Sequence, residues 1–441
     1  MNKQSAPTPG LAPRRVALEA LLAWQNNGAY LQEQLQDSVL NLPERDRALA
    51  WELSFGVCRN YRRLQAAVHA YSVQCKPTQV LEVSLALGLY QLFFLDRVPH
   101  HAAVHVTVEL VRKFEGQGAS RYANAILQRA LREGLPALPA DPVEALSIEF
   151  SMPDWLVTRW LAEPGVTLET LRERLKENRK VPRQWIRVNV QKTNVEEMRS
   201  RLDLPLESVW GERWIDVGQR IGALVRSEKF RQGYFSVQNP AADLLADLLK
   251  PEPGHAVWDA CAAPGGKSAL LLERFPEIAL TASDVDQQRI KSFSDLNSRL
   301  GLPSFRTLVC DATQPEFGAE FDRILLDVPC SNLGVIGRRP EVPLRLDPKS
   351  LDNVVDRQQR ILEGASKCLK PGGVLVYATC SPEREETFGV IESFLAKHPD
   401  FILDDAADFV DARFVKDNCV LAHDAALGFD GFFGARLRKK D

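Results

Sequence analysis

The apolar residues change their period twice along the chain. From Arg14 to about Gly134 they recur at helical spacing. Leu18, Leu21 and Leu22 form one stripe that stops at Asn26–Gly28. Pro43 opens a second helix, at the first helical position, which runs through Leu49, Leu53 and Val57 towards Tyr71. Pro77–Leu95, His101–Phe114 and Ser120–Glu133 predict three more. With no strand signal in this stretch, an all-helical domain is expected over residues 14–137, behind a mobile proline-rich arm, 1–13. The proline- and alanine-rich stretch 134–142 reads as a linker and a flexible joint.

A small α+β subdomain is expected over residues 143–236. Residues 143–178 read as helical, Gln184–Val190 alternates like a strand, and Val195–Leu202 reads as a helix. Ile221–Leu224 and Tyr234–Val237 are further strand candidates. Beyond residue 237 strands and helices alternate. Ala256–Ala260, Ile278–Asp284, Phe305–Val309, Phe321–Val328, Gly373–Thr379 and Gly431–Leu437 predict strands. Gly266–Arg274, Asp286–Leu300, Pro348–Leu369 and Pro382–Lys397 predict helices. That alternation is the signature of a doubly wound α/β sheet over 237–441.

In such sheets ligands sit beyond the carboxyl ends of the strands, and the chemistry-bearing residues fall there. Phe321–Gly334 (FDRILLDVPCSNLG) is an apolar run that ends on Asp327 and Cys330; GGVLVYATC ends on Cys380. Cysteine is also a small buried apolar residue, so neither position is decisive alone. Asp259–Ser268 (DACAAPGGKS) lies between a strand and a helix. Its small residues and paired glycines allow a ligand close to the backbone, at a helix N-terminus. It is neither GxGxxG nor a phosphate loop, because Cys261 stands where the first glycine of GxxxxGK belongs. Asp284 ends the next strand, placed to accept the ribose hydroxyls of an adenosine, and Asp311, which ends the third, could hold the adenine end. Either acid alone is more often a loop residue or a helix cap, but Asp284, Asp311 and Asp327 end three strands of one sheet.

Composition narrows the picture. With 441 residues, 45% hydrophobic and 26% charged, the chain is long enough for two to four globular domains. The eight cysteines (58, 75, 261, 310, 330, 368, 380, 419) include no CxxC pair and none at zinc-finger spacing to histidine. This argues against a metal site and a disulfide framework. No apolar run is long enough to span a bilayer, and MNKQSAPTPGLAPRR lacks a secretory core, so a reducing cytoplasmic setting and no membrane partner are expected. Net charge is −3, unevenly spread: +4 over residues 1–140, +6 over 172–235 and −13 over the remainder. A basic front half is compatible with phosphate contacts.

Together these features resemble S-adenosylmethionine-dependent methyltransferases. At DVPCS and ATCS the likeness narrows to the RNA cytosine-5 methyltransferases, joined by GVIGRRPE after Cys330 and LGFDGFFGARLRK near the end. The front stretches NLPERDRALAWELSFGVCRNYRRL and LGLYQLFFLDRVPHHAAVHVTVELV resemble the NusB domain, which precedes the methyltransferase in the Sun/Fmu type of 16S ribosomal RNA methyltransferase. The resemblance spans about residues 14–440. It implies a NusB-like RNA-binding domain, a small RRM-like α+β subdomain and a Rossmann-like class I methyltransferase domain. Asn239, Val328, Asn332 and the looser PEREE (Pro382–Glu386) depart from the family's pattern.

The resemblance further implies methylation of cytosine carbon 5 through a covalent thiol adduct at carbon 6. Cys380 would be the nucleophile, Cys330 would release product, and Asp327 would hold the cytosine edge or the sulfonium side. The cofactor, S-adenosylmethionine, would lie on Cys261, Ala262, Ala263, Pro264, Gly265, Gly266 and Lys267 with Asp284, Asp311 and Asp327. A stacked base is unreachable, so the target must be single-stranded or flipped out. Arg187 and Asn189 in IRVN, beside Trp185, and Arg338 and Arg339 after the Cys330 loop are candidate RNA contacts. Histidines 100, 101 and 105 and cysteines 58, 75, 310, 368 and 419 read as structural. A monomer without metal is expected. The alternatives are a tRNA substrate, a non-catalytic NusB-like RNA-binding or assembly protein, and a DNA cytosine methyltransferase. Two intact cysteines argue against the second; the ATC cysteine, absent from the DNA enzymes' pattern, argues against the third.

Overall fold

The computed structural model describes residues 8–28, 30–73, 76–422 and 428–441. Cys75, Leu427 of the C-terminal motif, and residues 1–7 of the expected arm lie outside the described residues; residues 11–13 of that arm are already helical. Contacts divide the chain into two units, Met1–Lys180 with Ile336–Asp347, and Val181–Val335 with Pro348–Asp441.

The first unit is helical: α1 (Leu11–Asn27), α2 (Leu31–Ser38), α3 (Glu44–Arg59), α4 (Tyr61–Tyr71), α5 (Gln79–Phe94), α6 (His100–Glu133), α7 (Pro142–Phe150), α8 (Asp154–Leu161) and α9 (Leu168–Arg179). α5 is apolar on all sides and buried from Val83 to Leu92, so it forms the centre of the core. The stripe expected from Pro43 to Tyr71 is broken at Asn60, whose side chain turns back onto the Gly56 carbonyl at 2.8 Å. Pro43 itself caps α3 from just outside. His101–Phe114 and Ser120–Glu133 join into one run through Gly116, whose φ of 85° permits the kink.

Helices α7–α9, expected with the small subdomain, pack with the front helices. Arg62 donates to the Met152 carbonyl at 2.5 Å and to Asp154 at 2.7 Å, and Arg179 reaches Asn60. The stretch 134–142 is tied down inside this unit, because Arg63 bonds the Pro136 carbonyl at 2.6 Å and the Tyr71 hydroxyl bonds that of Gly134. Residues 336–347 also belong here. Arg339 and Arg345 lie over the Tyr30 ring at 4.7 and 4.5 Å, and Arg59 donates to the Gly337 carbonyl at 3.2 Å.

The second unit begins with an antiparallel sheet of β1 (Trp185–Val188), β2 (Val209–Trp210), β3 (Trp214–Asp216) and β4 (Phe235–Val237), in the order β2-β3-β1-β4. Ile186, Val188, Ile215 and Phe235 form its core with Met198 of α10 (Val195–Arg201). Ile221–Leu224, expected as a strand, is the one-turn helix α11, followed by α12 (Glu228–Arg231). Three apolar side chains and a glycine do not distinguish the two periods. α13 (Ala241–Leu249) then leads into the large sheet.

That sheet comprises β5 (Ala256–Asp259), β6 (Ala279–Asp284), β7 (Arg306–Val309), β8 (Phe321–Asp327), β9 (Leu369–Thr379), β10 (Phe401–Leu403), β11 (Val415–Lys416), β12 (Cys419–Ala422) and β13 (Phe432–Lys439). Its order is β11-β12-β13-β9-β8-β5-β6-β7, with β10 against β13. β5 to β9 are parallel, and β13 runs antiparallel to β9. The crossovers are α14 (Gly266–Arg274), α15 (Gln287–Leu300) and α16 (Pro348–Ser366), and α17 (Phe388–Lys397) follows β9. The strand order reverses between β5 and β8, which is where such sheets open a ligand crevice.

Candidate active site

Each expected catalytic residue sits at the carboxyl edge of the central strands, and the reason is local. β8 and β9 are buried parallel neighbours, paired up to Asp327 and Ala378. Pro329 ends one ladder, and the chain turns after Thr379 in the other. Both strands therefore release their cysteines at the same level. The Cys330 and Cys380 sulfurs lie 2.9 Å apart. Cys380 Sγ is also 3.1 Å from Asn332 Oδ1, and Asn332 Nδ2 donates to the Cys330 carbonyl at 3.0 Å. Asn332 adopts φ 62°, a left-handed conformation that asparagine tolerates better than most residues. The hydrogen bond with Cys380, burial, and the charges of Cys380 and Glu386 push the Cys330 thiol well above its ordinary range.

Gly334 brings the loops together. Its N–H bonds the Cys380 carbonyl at 2.9 Å, and a Cβ there would stand 2.4 Å from the Gly431 carbonyl oxygen and 2.6 Å from that of Cys380. Beside them Lys267 forms an ion pair with Asp327. Burial lowers the lysine's pKa, but the charge and hydrogen bond of Asp327 outweigh it and leave it raised.

The 261–267 loop is built around Asp284 and Asp259. Asp284 accepts from the Ala263 and Asp286 amides at 3.3 and 3.0 Å. Asp259 accepts from Ser268 Oγ at 2.6 Å; burial drives it up to about 7, and its other oxygen is buried with no protein partner. The α14 ladder starts with Ala269 N–H bonding Gly265, so the amides of Gly266 and Lys267 precede it. Asp311 is exposed and accepts from Thr313 N–H at 2.9 Å. Val285 and Val309, at the ends of β6 and β7, are about half exposed (51% and 52%). Four carboxylates against one lysine, an unpartnered buried carboxylate oxygen and two exposed valines suit a ligand with a positive charge and a flat apolar part. S-Adenosylmethionine has both.

Two expectations about RNA are corrected. Arg187 and Asn189 are fully buried. Arg187 makes a two-pronged pair with Glu273 on α14, at 2.9 Å for each prong, and bonds Gln238 and the Gly266 carbonyl. Asn189 donates to the carbonyls of Gly233 and Leu300 at 3.1 and 3.0 Å. Arg187 joins the small sheet to α14 and Asn189 joins it to the end of α15, and neither faces solvent. Trp185 is buried as well. Arg338 and Arg339 are half-buried in the helical unit.

Sequence reasoning missed Glu386, which lies behind both cysteine loops. The signal was the serine that follows each cysteine, in PCS and TCS. Among the described residues no cluster of three potential metal ligands occurs, and no helix is long and apolar enough to cross a membrane.

Comparison with known proteins identifies the family and the fold. The model of the family described as 16S rRNA methyltransferase RsmB/F matches residues 246–438, and that of the NusB family matches residues 11–132. The chain is 32% identical over 442 residues to the probable ribosomal RNA small subunit methyltransferase B of Bacillus subtilis (strain 168), covering 97% of this chain and 98% of that protein. It is 33% identical over 454 residues to ribosomal RNA small subunit methyltransferase B of Pasteurella multocida (strain Pm70), covering 97% and 96%. Among solved structures, PH0851 shares the fold, with a TM-score of 0.81, 24% identity and coverage of 99% of this chain and 100% of that one. NSun6 from Pyrococcus horikoshii, solved with SFG, aligns with a TM-score of 0.52 and 20% identity over 69% of this chain and 98% of its own.

Proposed function

This chain belongs to the 16S rRNA methyltransferase RsmB/F family, and on that premise we propose that it methylates carbon 5 of a cytosine in 16S ribosomal RNA through a covalent adduct with Cys380. The observation that carries the proposal is the pair of cysteine sulfurs 2.9 Å apart at the ends of adjacent parallel strands, beside Asp327 and Lys267.

Carbon 5 of cytosine is too weak a nucleophile to take a methyl group unaided. A thiolate adding to carbon 6 makes carbon 5 enamine-like, which is covalent catalysis by an activated nucleophile. The Cys330 thiol is held well above its ordinary range and so keeps its proton, and attack on carbon 6 needs one negative charge on the other sulfur. In our assignment Cys380 carries that charge to carbon 6. Once its sulfur is bonded to carbon, it no longer opposes ionisation of Cys330. Cys330 gives its own proton to solvent, its thiolate then accepts the carbon 5 proton, and the Cys380–carbon 6 bond breaks with its electron pair returning to the Cys380 sulfur, which restores the ring. Asp327, held by Lys267, faces the cytosine edge.

S-Adenosylmethionine, when bound, supplies an electrophilic methyl group. Asp284 would hold its ribose, Asp311 its adenine end, and Cys261–Lys267 with Asp327 its amino-acid side. The NusB domain and the RNA substrates named for the relatives support an RNA target. The test is incubation of 16S RNA with the protein and methyl-labelled cofactor, followed by nuclease digestion. Label in 5-methylcytidine supports the proposal; label in another nucleoside, or in tRNA alone, overturns it.

A further inference from the structure

We propose that Glu386 is a positioning residue that sets the distance between the two cysteines, an inference that rests on the reaction assigned above. Glu386 is fully buried at the end of the short turn after Cys380. One carboxylate oxygen accepts from the hydroxyls of Ser331 and Ser381, the latter at 2.5 Å. The other accepts from the Ser331 amide at 2.8 Å and from Gln358 Nε2 at 2.9 Å. Ser331 follows Cys330 and Ser381 follows Cys380, so one carboxylate grips both loops one residue beyond each sulfur. Gln358, from α16, also donates to the carbonyl of Pro329, the residue before Cys330, at 3.0 Å. The Tyr377 hydroxyl fixes the Glu386 backbone from β9 at 2.8 Å.

A solvated carboxylate would hold these groups loosely. Buried, with four donors on two oxygens, it has one satisfactory arrangement and a large cost for any other. Strand pairing ends at Asp327 and Ala378; beyond that point the carboxylate shares the registration of the two chains with the Gly334 N–H on the Cys380 carbonyl and with the Ser331–Ser381 hydroxyl contact at 3.1 Å. Glu386 does not touch either sulfur; it sets their distance through the loops, and its charge adds separately to the raised Cys330 thiol.

Glutamine fits the same space. Its carbonyl oxygen can face the Ser331 amide and Gln358, and its amide can donate to the two serine hydroxyls, which accept as readily as they donate. Glu386→Gln therefore preserves the grip, Glu386→Ala removes it, and Ser381→Ala removes one arm together with the Ser331 contact and the acceptor of the Glu383 amide, while the carboxylate stays in place. The direct readout is bridging of the two thiols by phenylarsine oxide, which forms two As–S bonds with release of one water and requires both sulfurs within reach of one arsenic. The wild type and Glu386→Gln are expected to bind the arsenical alike, with Ser381→Ala weaker and Glu386→Ala weaker still. In methylation assays Glu386→Ala is expected to lose about 100-fold in kcat, the order expected for an ångström-scale misplacement, with KM for S-adenosylmethionine unchanged.

Wild-type thiol bridging or wild-type kcat in Ser381→Ala and in a folded Glu386→Ala would overturn the proposal. If Glu386→Ala does not fold, Ser381→Ala decides alone. The arsenical readout needs no RNA, so failure of the assigned reaction would appear as an inert wild type whose thiols still bridge.

Discussion

Arg187→Met separates a buried structural arginine from an RNA contact. Arg187 and Glu273 have side chains 0% and 1% exposed, and the pair is two-pronged. Removing one partner strands a carboxylate in the interior, which costs about 3–5 kcal/mol. The Gln238 and Gly266 oxygens that Arg187 also serves lose a donor, worth up to about 1–3 kcal/mol each if nothing replaces it. These terms overlap, so a loss of at least about 3 kcal/mol is expected, a large share of the roughly 5–15 kcal/mol typical of a folded domain. Urea unfolding followed by tryptophan fluorescence measures it. The double variant Arg187→Met with Glu273→Leu leaves no stranded charge and is expected to recover most of the loss. RNA affinity of the folded single variant, measured by filter binding over a salt series, is expected to match wild type. The reasoning is refuted if Arg187→Met is as stable as wild type while RNA affinity falls and the salt slope drops by about one, the mark of a lost phosphate contact.

Three further outcomes follow from the site. Asp259 titrates near 7 in the folded protein, chiefly through burial, against roughly 4 unfolded; the native state holds the extra proton, so without cofactor stability falls as pH rises from about 4 to about 7. Asp259→Asn removes that dependence, and unfolding curves at pH 5 and pH 8 check it; an unchanged slope would show that Asp259 is ionised throughout. Gly334→Ala places a Cβ against two backbone carbonyls, so thermal stability should fall by at least about 1–3 kcal/mol, the range for overpacking, and methylation should be lost; a variant with wild-type melting and activity would contradict the close approach of the loops. Asp284→Asn removes a charged acceptor, expected to weaken S-adenosylmethionine by about 1.5–3 kcal/mol, or roughly 10- to 150-fold; equilibrium dialysis measures this, and unchanged affinity would remove Asp284 from the cofactor site.

The large sheet was legible because its strands are short apolar runs that end on acids and cysteines, with helices of clear period between them. Gly266–Arg274 matches its helix residue for residue. The partners of the polar residues were not legible. Arg187 lies in an alternating strand, IRVN, where an arginine reads as solvent-facing; its burial depends on Glu273, 86 positions away. The Arg338–Arg339 segment follows the catalytic loop in sequence, yet its contacts are with Tyr30 and Arg59, which no local pattern reveals. Glu386 was visible only as part of a loose PEREE match, because what marks it is convergence of Ser331, Ser381 and Gln358 from three segments. The strands between Phe401 and Ala422 were missed because they are two to four residues long.

The central claim is that Cys380 attacks the base and Cys330 releases it. Cys330→Ala and Cys380→Ala, each incubated with 16S RNA and S-adenosylmethionine and run on a denaturing gel, test it most directly. A covalent RNA–protein band with Cys330→Ala and none with Cys380→Ala is the predicted result. The reverse pattern would exchange the two roles, and no band from either, beside an active wild type, would contradict release through the second cysteine.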